Sequence, residues 1–194
     1  PGQRGNAVTL DGAGFVSAGD VAAFGYFDEF SILADVRLPE HRAGTIVSKM
    51  ELVDQGAGYN LHVTDSGTLQ VNFVKRWLDD SLRVETTVPL PLNEWTRILM
   101  TYSGSREASG VRVYYNGIPV PLQTNLDGIN QTFQSEEPLR IGAGNSNFHG
   151  QIDNVRIYSR ALDEREFKQA GALRSIRDIL SKGDFGLNQE LNNE

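Results

Sequence analysis

The sequence predicts an all-β protein, two antiparallel sheets packed face to face, with one short helix toward the C-terminal end. Three observations carry this prediction. Short segments of alternating apolar and polar residues recur from residue 7 to residue 158, and a period of two marks a strand with one buried face. Turn residues separate these segments, helped by 20 glycines among 194 residues. Helical spacing of apolar residues begins only after Asp163, with Phe167, Ala170, Leu173, Ile176, Ile179 and Leu180. Many short strands and no earlier helix leave a sandwich as the way to bury every apolar face.

In chain order, residues 7–10 and 15–18 read as two strands around the turn Asp11-Gly-Ala-Gly14. Phe30, Ile32, Ala34, Val36 and Leu38 share one face of the next strand, and residues 44–49 form another with Ile46 inward. Residues 59–86 read as a meander. Tyr59, Leu61 and Val63 point inward, Asp65-Ser-Gly67 turns the chain, and Leu69, Val71 and Phe73 resume the core. A loop over 75–80 follows, and Leu82 and Val84 complete the third strand. Residues 95–102 place Ile98, Met100 and Tyr102 inward, and Val111, Val113 and Tyr115 come next. Asn116-Gly117 makes a two-residue hairpin, because both central positions of such a turn need positive φ. Residues 121–137 read as polar and turn-rich, before a short strand over 139–141. In the closing strand Ile152 has the opposite parity to Val155 and Ile157, which predicts a bulge near Asp153. Asp163 then stands where a carboxylate caps a helix. The expected organisation is a sandwich over 1–162, then a helix and polar tail over 163–194 that lead toward a following domain. The start, Pro1-Gly-Gln-Arg-Gly5, carries no Met and reads as a piece of a longer protein.

Composition excludes several functions. The net charge is −7, from 18 basic and 25 acidic residues, with no Lys/Arg cluster. A nucleic-acid surface needs such a cluster. With no Cys, thiolate metal sites, disulfides and Cys nucleophiles are all absent. No apolar run is long enough to predict membrane insertion. Glycoside hydrolysis needs two carboxylates flanking one bond; Glu51, Glu85, Glu94 and Glu107 stand alone, and Glu136-Glu137 lies in a predicted loop. His41, His62 and His149 are too scattered to suggest a Ser/His/Asp arrangement.

Three segments together resemble a known family. They are Leu10-Asp-Gly-Ala-Gly-Phe-Val16, then 93–104 (Asn-Glu-Trp-Thr-Arg-Ile-Leu-Met-Thr-Tyr-Ser-Gly) with Val113-Tyr-Tyr-Asn-Gly117, and Gly150-Gln-Ile-Asp-Asn-Val-Arg-Ile-Tyr-Ser-Arg-Ala-Leu162. In order and spacing they look like a laminin-G-like jelly roll of the concanavalin A-like lectin/glucanase superfamily. The Glu-x-Asp-x-x-Glu strand of that superfamily's laminarinases does not occur here. Gly58-Tyr-Asn-Leu-His62, Val74-Lys-Arg-Trp77 and Pro89-Leu-Pro-Leu-Asn-Glu-Trp95 further resemble the jelly-roll module of large exported planctomycete-type proteins that also carry a cytochrome-c-like domain. That likeness implies export and sibling domains as partners. It also makes 172–181 similar to the segment after that module.

Two sites follow as expectations. The outward parity of the meander gathers Asn60, His62, Gln70, Asn72, Arg83 and Glu85, with Arg76 and Trp77 at the rim and Tyr114 on an outward parity farther on. Planar polar side chains bond sugar hydroxyls and an aromatic plate covers a sugar ring, so this face is a candidate for glycan. The same pattern also describes the solvated face of any antiparallel sheet. Asp11 and Asp153 are candidates for a structural Ca²⁺, which takes carboxylates and the backbone carbonyls that Gly-rich turns expose; the favoured reading of Asp153 is a cap on backbone amides at the bulge, since no spaced Asp/Asn ligand set like an EF-hand loop is present. Three functions stay open: a glycan-binding module, a spacer or protein-interaction domain, and the disfavoured hydrolase.

Overall fold

A computed structural model describes residues 7–167. Thirteen strands occur among them: β1 (Val8–Asp11), β2 (Val16–Gly19), β3 (Glu29–Arg37), β4 (Gly44–Met50), β5 (Gly58–Val63), β6 (Leu69–Arg76), β7 (Asp80–Thr86), β8 (Thr96–Ser103), β9 (Val111–Tyr115), β10 (Ile118–Val120), β11 (Leu122–Asp127), β12 (Leu139–Ile141) and β13 (His149–Tyr158). They build two antiparallel sheets. One has six strands in the order β1-β13-β3-β8-β9-β10, the other seven in the order β11-β7-β6-β5-β4-β12-β2. The expected sandwich is therefore present.

The inward parities meet between the sheets. Phe30, Ile32 and Val36 of β3 and Ile98 and Met100 of β8 face Leu61, Val71, Phe73 and Val84 from the other sheet, all buried. An aromatic cluster fills one part of this core: Phe24 stacks on Phe30 at 4.4 Å between centroids, and Phe73 on Phe133 at 4.8 Å. Phe133 comes from the stretch read as merely polar. It is fully buried, and β11 lies in the same stretch. A single aromatic carries no period, so its inward turn had no local signal.

Local turn chemistry agrees with the sequence where it rests on neighbours. Asn116 and Gly117 have φ of 51° and 88°, and β9 pairs with β10 across them. The register of β13 against β3 shifts between Asp153 and Arg156, with Asn154 at φ 55°, which is the predicted bulge. The turn after Asp11 differs from a hairpin. β1 pairs with β13 and β2 with β12, so the chain changes sheets there.

The chain divides into units at Ala161/Leu162. In the second unit, residues 164–167 are helical. Asp163 Oδ1 accepts the Glu166 N–H at 2.8 Å while Glu166 Oε2 accepts the Asp163 N–H at 3.0 Å, a reciprocal capping box. The expected helix over 172–181 and the polar tail lie outside the described residues. No helix among the described residues is long and apolar enough to cross a membrane.

Candidate functional site

The register of β5, β6 and β7 brings the meander's outward residues into two rows. Asn60, Asn72 and Arg83 lie side by side across the strands, and so do His62, Gln70 and Glu85. Parity alone placed these six on one face. Their exposure is a different matter, because long-range packing sets it.

Asn60 and Asn72 are only 3% and 2% exposed. Asn72 Nδ2 donates to Asn60 Oδ1 at 2.9 Å, and Asn60 Nδ2 donates to Met50 Sδ at 3.0 Å. These amides bond each other and Met50 under the surface, with the buried Asn72 Oδ1 left without a hydrogen-bond partner, and do not form the open sugar face the sequence suggested. Tyr114 is corrected more fully. It belongs to β9 in the six-stranded sheet, opposite Leu99, and is buried, so it cannot join this face.

The second row is half-buried and tightly bonded. Glu85 accepts hydrogen bonds from Thr68 Oγ1 at 2.5 Å, Gln70 Nε2 at 2.9 Å and Asn125 Nδ2 at 3.1 Å. Burial pushes its carboxyl pKa up, but these bonds and one from Gln123 outweigh burial and hold it below the usual value. His62 Nδ1 lies 3.3 Å from Thr45 Oγ1. Burial lowers the His62 pKa and outweighs the opposing pull of Asp65 and Glu85, so the ring is neutral at pH 7.

At the end of the sheet the arrangement opens. The loop from β6 to β7 carries Trp77, half-exposed, and Leu78, 82% exposed. Both ends of the loop are held. Arg76 forks onto Asp79, with Nε 2.9 Å from Oδ1 and Nη2 3.3 Å from Oδ2. Buried Asp80 accepts the backbone N–H groups of Asn130 at 2.7 Å and Gln131 at 3.2 Å. The guanidinium carbon of Arg83 lies 4.0 Å from the centre of the Trp77 ring, a cation–π contact. Arg83 Nε also donates to Ser81 Oγ at 3.2 Å. One face of the indole is thus backed by a fixed guanidinium.

Across from this loop, residues 51–57 form a short braced turn. Glu51 N–H donates to Ala57 O at 2.9 Å, and Ala57 N–H returns to Glu51 Oε2 at 3.2 Å. Between the two loops lies an open cleft of about 480 Å³, lined by Asp54, Gln55, Arg76, Trp77, Leu78 and Asp79. Arg83, although it lies over the Trp77 ring, does not line the cleft. A slightly larger hollow of about 530 Å³ at the sheet edge has apolar walls from Val111, Val113 and Leu122 and polar groups from Arg112, Thr124 and Asp127. Its aromatic, Tyr114, is buried and offers no open plate, whereas Trp77 is half-exposed, and this difference rather than size picks the smaller cleft.

Of the cleft's lining, the sequence reading named Arg76 and Trp77, with Arg83 behind the indole; it did not name Asp54 and Gln55, which come from a distant loop, and it gave Asp79 no role. The one local mark of that loop in the sequence is the apolar pair Leu52-Val53, which the structure leaves exposed at 53% and 58%.

The two metal candidates are not brought together. Asp11 sits opposite His149 in the register, and its Oδ1 accepts the Ala13 N–H at 2.9 Å, an Asx turn. Asp153 sits opposite Asp35, four residues farther along β13, about 13 Å at strand rise. Among the described residues no group of three or more His, Cys, Asp or Glu side chains is placed to hold a metal ion.

Comparison with known proteins gives a consistent fold. The family model described as the Concanavalin A-like lectin/glucanases superfamily (Laminin_G_3) matches residues 10–167. The binding domain of Paraclostridial Mosquitocidal Protein 1 superposes with a TM-score of 0.64 at 17% identity, over 87% of this chain and 44% of that one. The present chain thus spans less than half of that structure. The CBM40 domain of the Ruminococcus gnavus IT-sialidase, solved with sialyllactose, gives 0.62 at 9% identity over 84% and 94% of the two chains. Domain 4 of an extracellular arabinanase from Geobacillus stearothermophilus, solved with arabinotriose, gives 0.56 at 18% identity over 85% and 76%. No curated protein sequence matches the chain.

Proposed function

The chain belongs to the Concanavalin A-like lectin/glucanases superfamily, and from that premise we propose that it is a non-catalytic glycan-binding module. The observation that carries this reading is the Trp77 plate, backed by Arg83 at 4.0 Å and set at the wall of a cleft with planar polar side chains on both sides. A sugar is weakly held by hydroxyl bonds alone, since each replaces a bond to water for a net of about 0.5–1.5 kcal/mol. The apolar face of a ring against a pre-positioned indole supplies what the hydroxyl bonds lack. Asp54, Gln55 and Asp79 then accept from or donate to hydroxyls at the ring's edge. His62 and Gln70 extend this surface along the sheet, with Asn60 and Asn72 as its buried support. The carbohydrate complexes of the CBM40 and arabinanase domains support the same reading by likeness of fold.

A hydrolase fits less well. Its acid must hold a proton near neutral pH, whereas the bond from Arg76 keeps the Asp79 carboxyl below its usual pKa. Export, and a place beside other domains of a larger planctomycete-type protein, belong to the same proposal. A second reading, a protein-interaction domain, is favoured by the apolar tips Leu52, Val53 and Leu78 around the cleft. A glycan array probed with the labelled chain decides. Binding to any glycan class, lost in Trp77→Ala, supports the module; no binding across the array removes the glycan reading and leaves the interaction domain.

A further inference from the structure

We infer that the cleft between the β4–β5 and β6–β7 loops takes uncharged glycans and rejects acidic ones. The inference rests on the glycan-binding reading and adds the class of sugar.

The cleft's charges lead to it. Asp54 and Asp79 bring two carboxylates and Arg76 one guanidinium, which leaves one net negative charge on the lining. The single cation is not free. Two of its nitrogens already bond both oxygens of Asp79, and Nη2 also lies 3.7 Å from Asp80. The other guanidinium in reach of Trp77 is that of Arg83, which lies over the ring and does not line the cleft. An acidic sugar would bring its carboxylate or sulfate beside Asp54 with no uncommitted fork to receive it. Recognition of such groups uses a bidentate guanidinium or several N–H donors. The chain's net charge of −7 adds a repulsive field.

The same lining suits hydroxyl-rich, uncharged rings. Exposed carboxylates accept from sugar hydroxyls, Gln55 both donates and accepts, and the indole covers the ring's C–H face. Here this chain parts from the CBM40 domain it resembles in fold, which was solved with sialyllactose. Fold likeness does not transfer that ligand, because the groups in the cleft decide.

The test uses the full chain on an array with two arms. One arm holds neutral arabino-, xylo-, gluco- and galacto-oligosaccharides. The other holds sialylated, uronic-acid and sulfated oligosaccharides. The expected result is binding in the neutral arm at least about tenfold tighter than in the acidic arm, the scale set by one unfavourable charge contact. Acidic glycans bound as tightly as neutral ones, or tighter, overturn the inference and leave the glycan reading standing. No binding in either arm overturns both. A double variant, Asp54→Asn with Asp79→Asn, frees the Arg76 fork and turns the net lining charge positive. Both side chains are exposed, so the fold is spared. The ratio of acidic to neutral binding should rise at least about tenfold, and an unchanged ratio counts against the inference.

Discussion

Two regions of one sheet use similar polar residues to opposite ends. In the middle of the seven-stranded sheet, Asn60 and Asn72 face outward by parity yet are nearly fully buried and bonded to each other. At the sheet's end, Trp77, Asp54 and Gln55 line an open cleft, and Arg83 backs the indole. The difference teaches that residue type on an outward parity does not make a site. What separates the two regions is access: the amides are closed off from solvent, whereas the residues that line the cleft are exposed or half-exposed.

This contrast predicts that changes in the sheet's middle act on stability and changes at the loops act on binding. The largest expected effect is at Gly58, where β5 starts at φ 130° and an added Cβ would strike the Lys49 carbonyl and the Met50 backbone. Gly58→Ala should cost about 3 kcal/mol, combining backbone strain with collision. Urea unfolding measures it, and a loss under about 1 kcal/mol would mean the strand start yields more easily than its packing implies.

Next is the amide row. Asn60→Ala strands the buried Asn72 Nδ2 and should cost roughly 1–3 kcal/mol. Replacing both partners together, Asn60→Leu with Asn72→Leu, should cost less than the single change, because no buried donor is left unpaired. A double variant that loses at least the sum of the two single losses would show that the pair is not the unit claimed.

His62 gives a smaller effect, dependent on pH. Its folded pKa lies below the ordinary 6.5. As pH falls below 6.5 the unfolded chain takes up a proton that the folded chain resists, so its contribution is full above that pH and is lost on acidification. The slope should be at most about 1.4 kcal/mol per pH unit. His62→Gln should flatten it in melts between pH 7 and the His62 transition. Glu85 acts in a separate window below its usual 4.5, where a depressed carboxyl pKa is overcome by protons.

Much of this fold was legible because it rests on near neighbours. Asn116-Gly117, the parity break at Asp153 and the Asp163 cap are each set within a few residues, and each occurs where the sequence put it. The site was legible in part. Trp77 stood out because its polar loop offered it no core. Its partner wall at Asp54 and Gln55 lies more than twenty residues away and carries no periodic signal. The burial of Asn60 and Asn72, the placement of Tyr114 in the opposite sheet and the inward turn of Phe133 all depend on how the sheets close. No window of sequence contains that information.

The loop end carries the central claim, and Trp77→Ala tests it most directly beside Asn60→Ala. Both variants are to be titrated calorimetrically with a glycan identified on the array, and both melted. Because Trp77 sits on a loop outside the core, its loss should change stability by no more than about 0.5 kcal/mol. It should nonetheless weaken binding at least about tenfold, the worth of one stacking contact. Asn60→Ala should melt lower and, where folded, bind like the unmodified chain. A Trp77→Ala protein that binds as tightly as the unmodified chain would contradict the account.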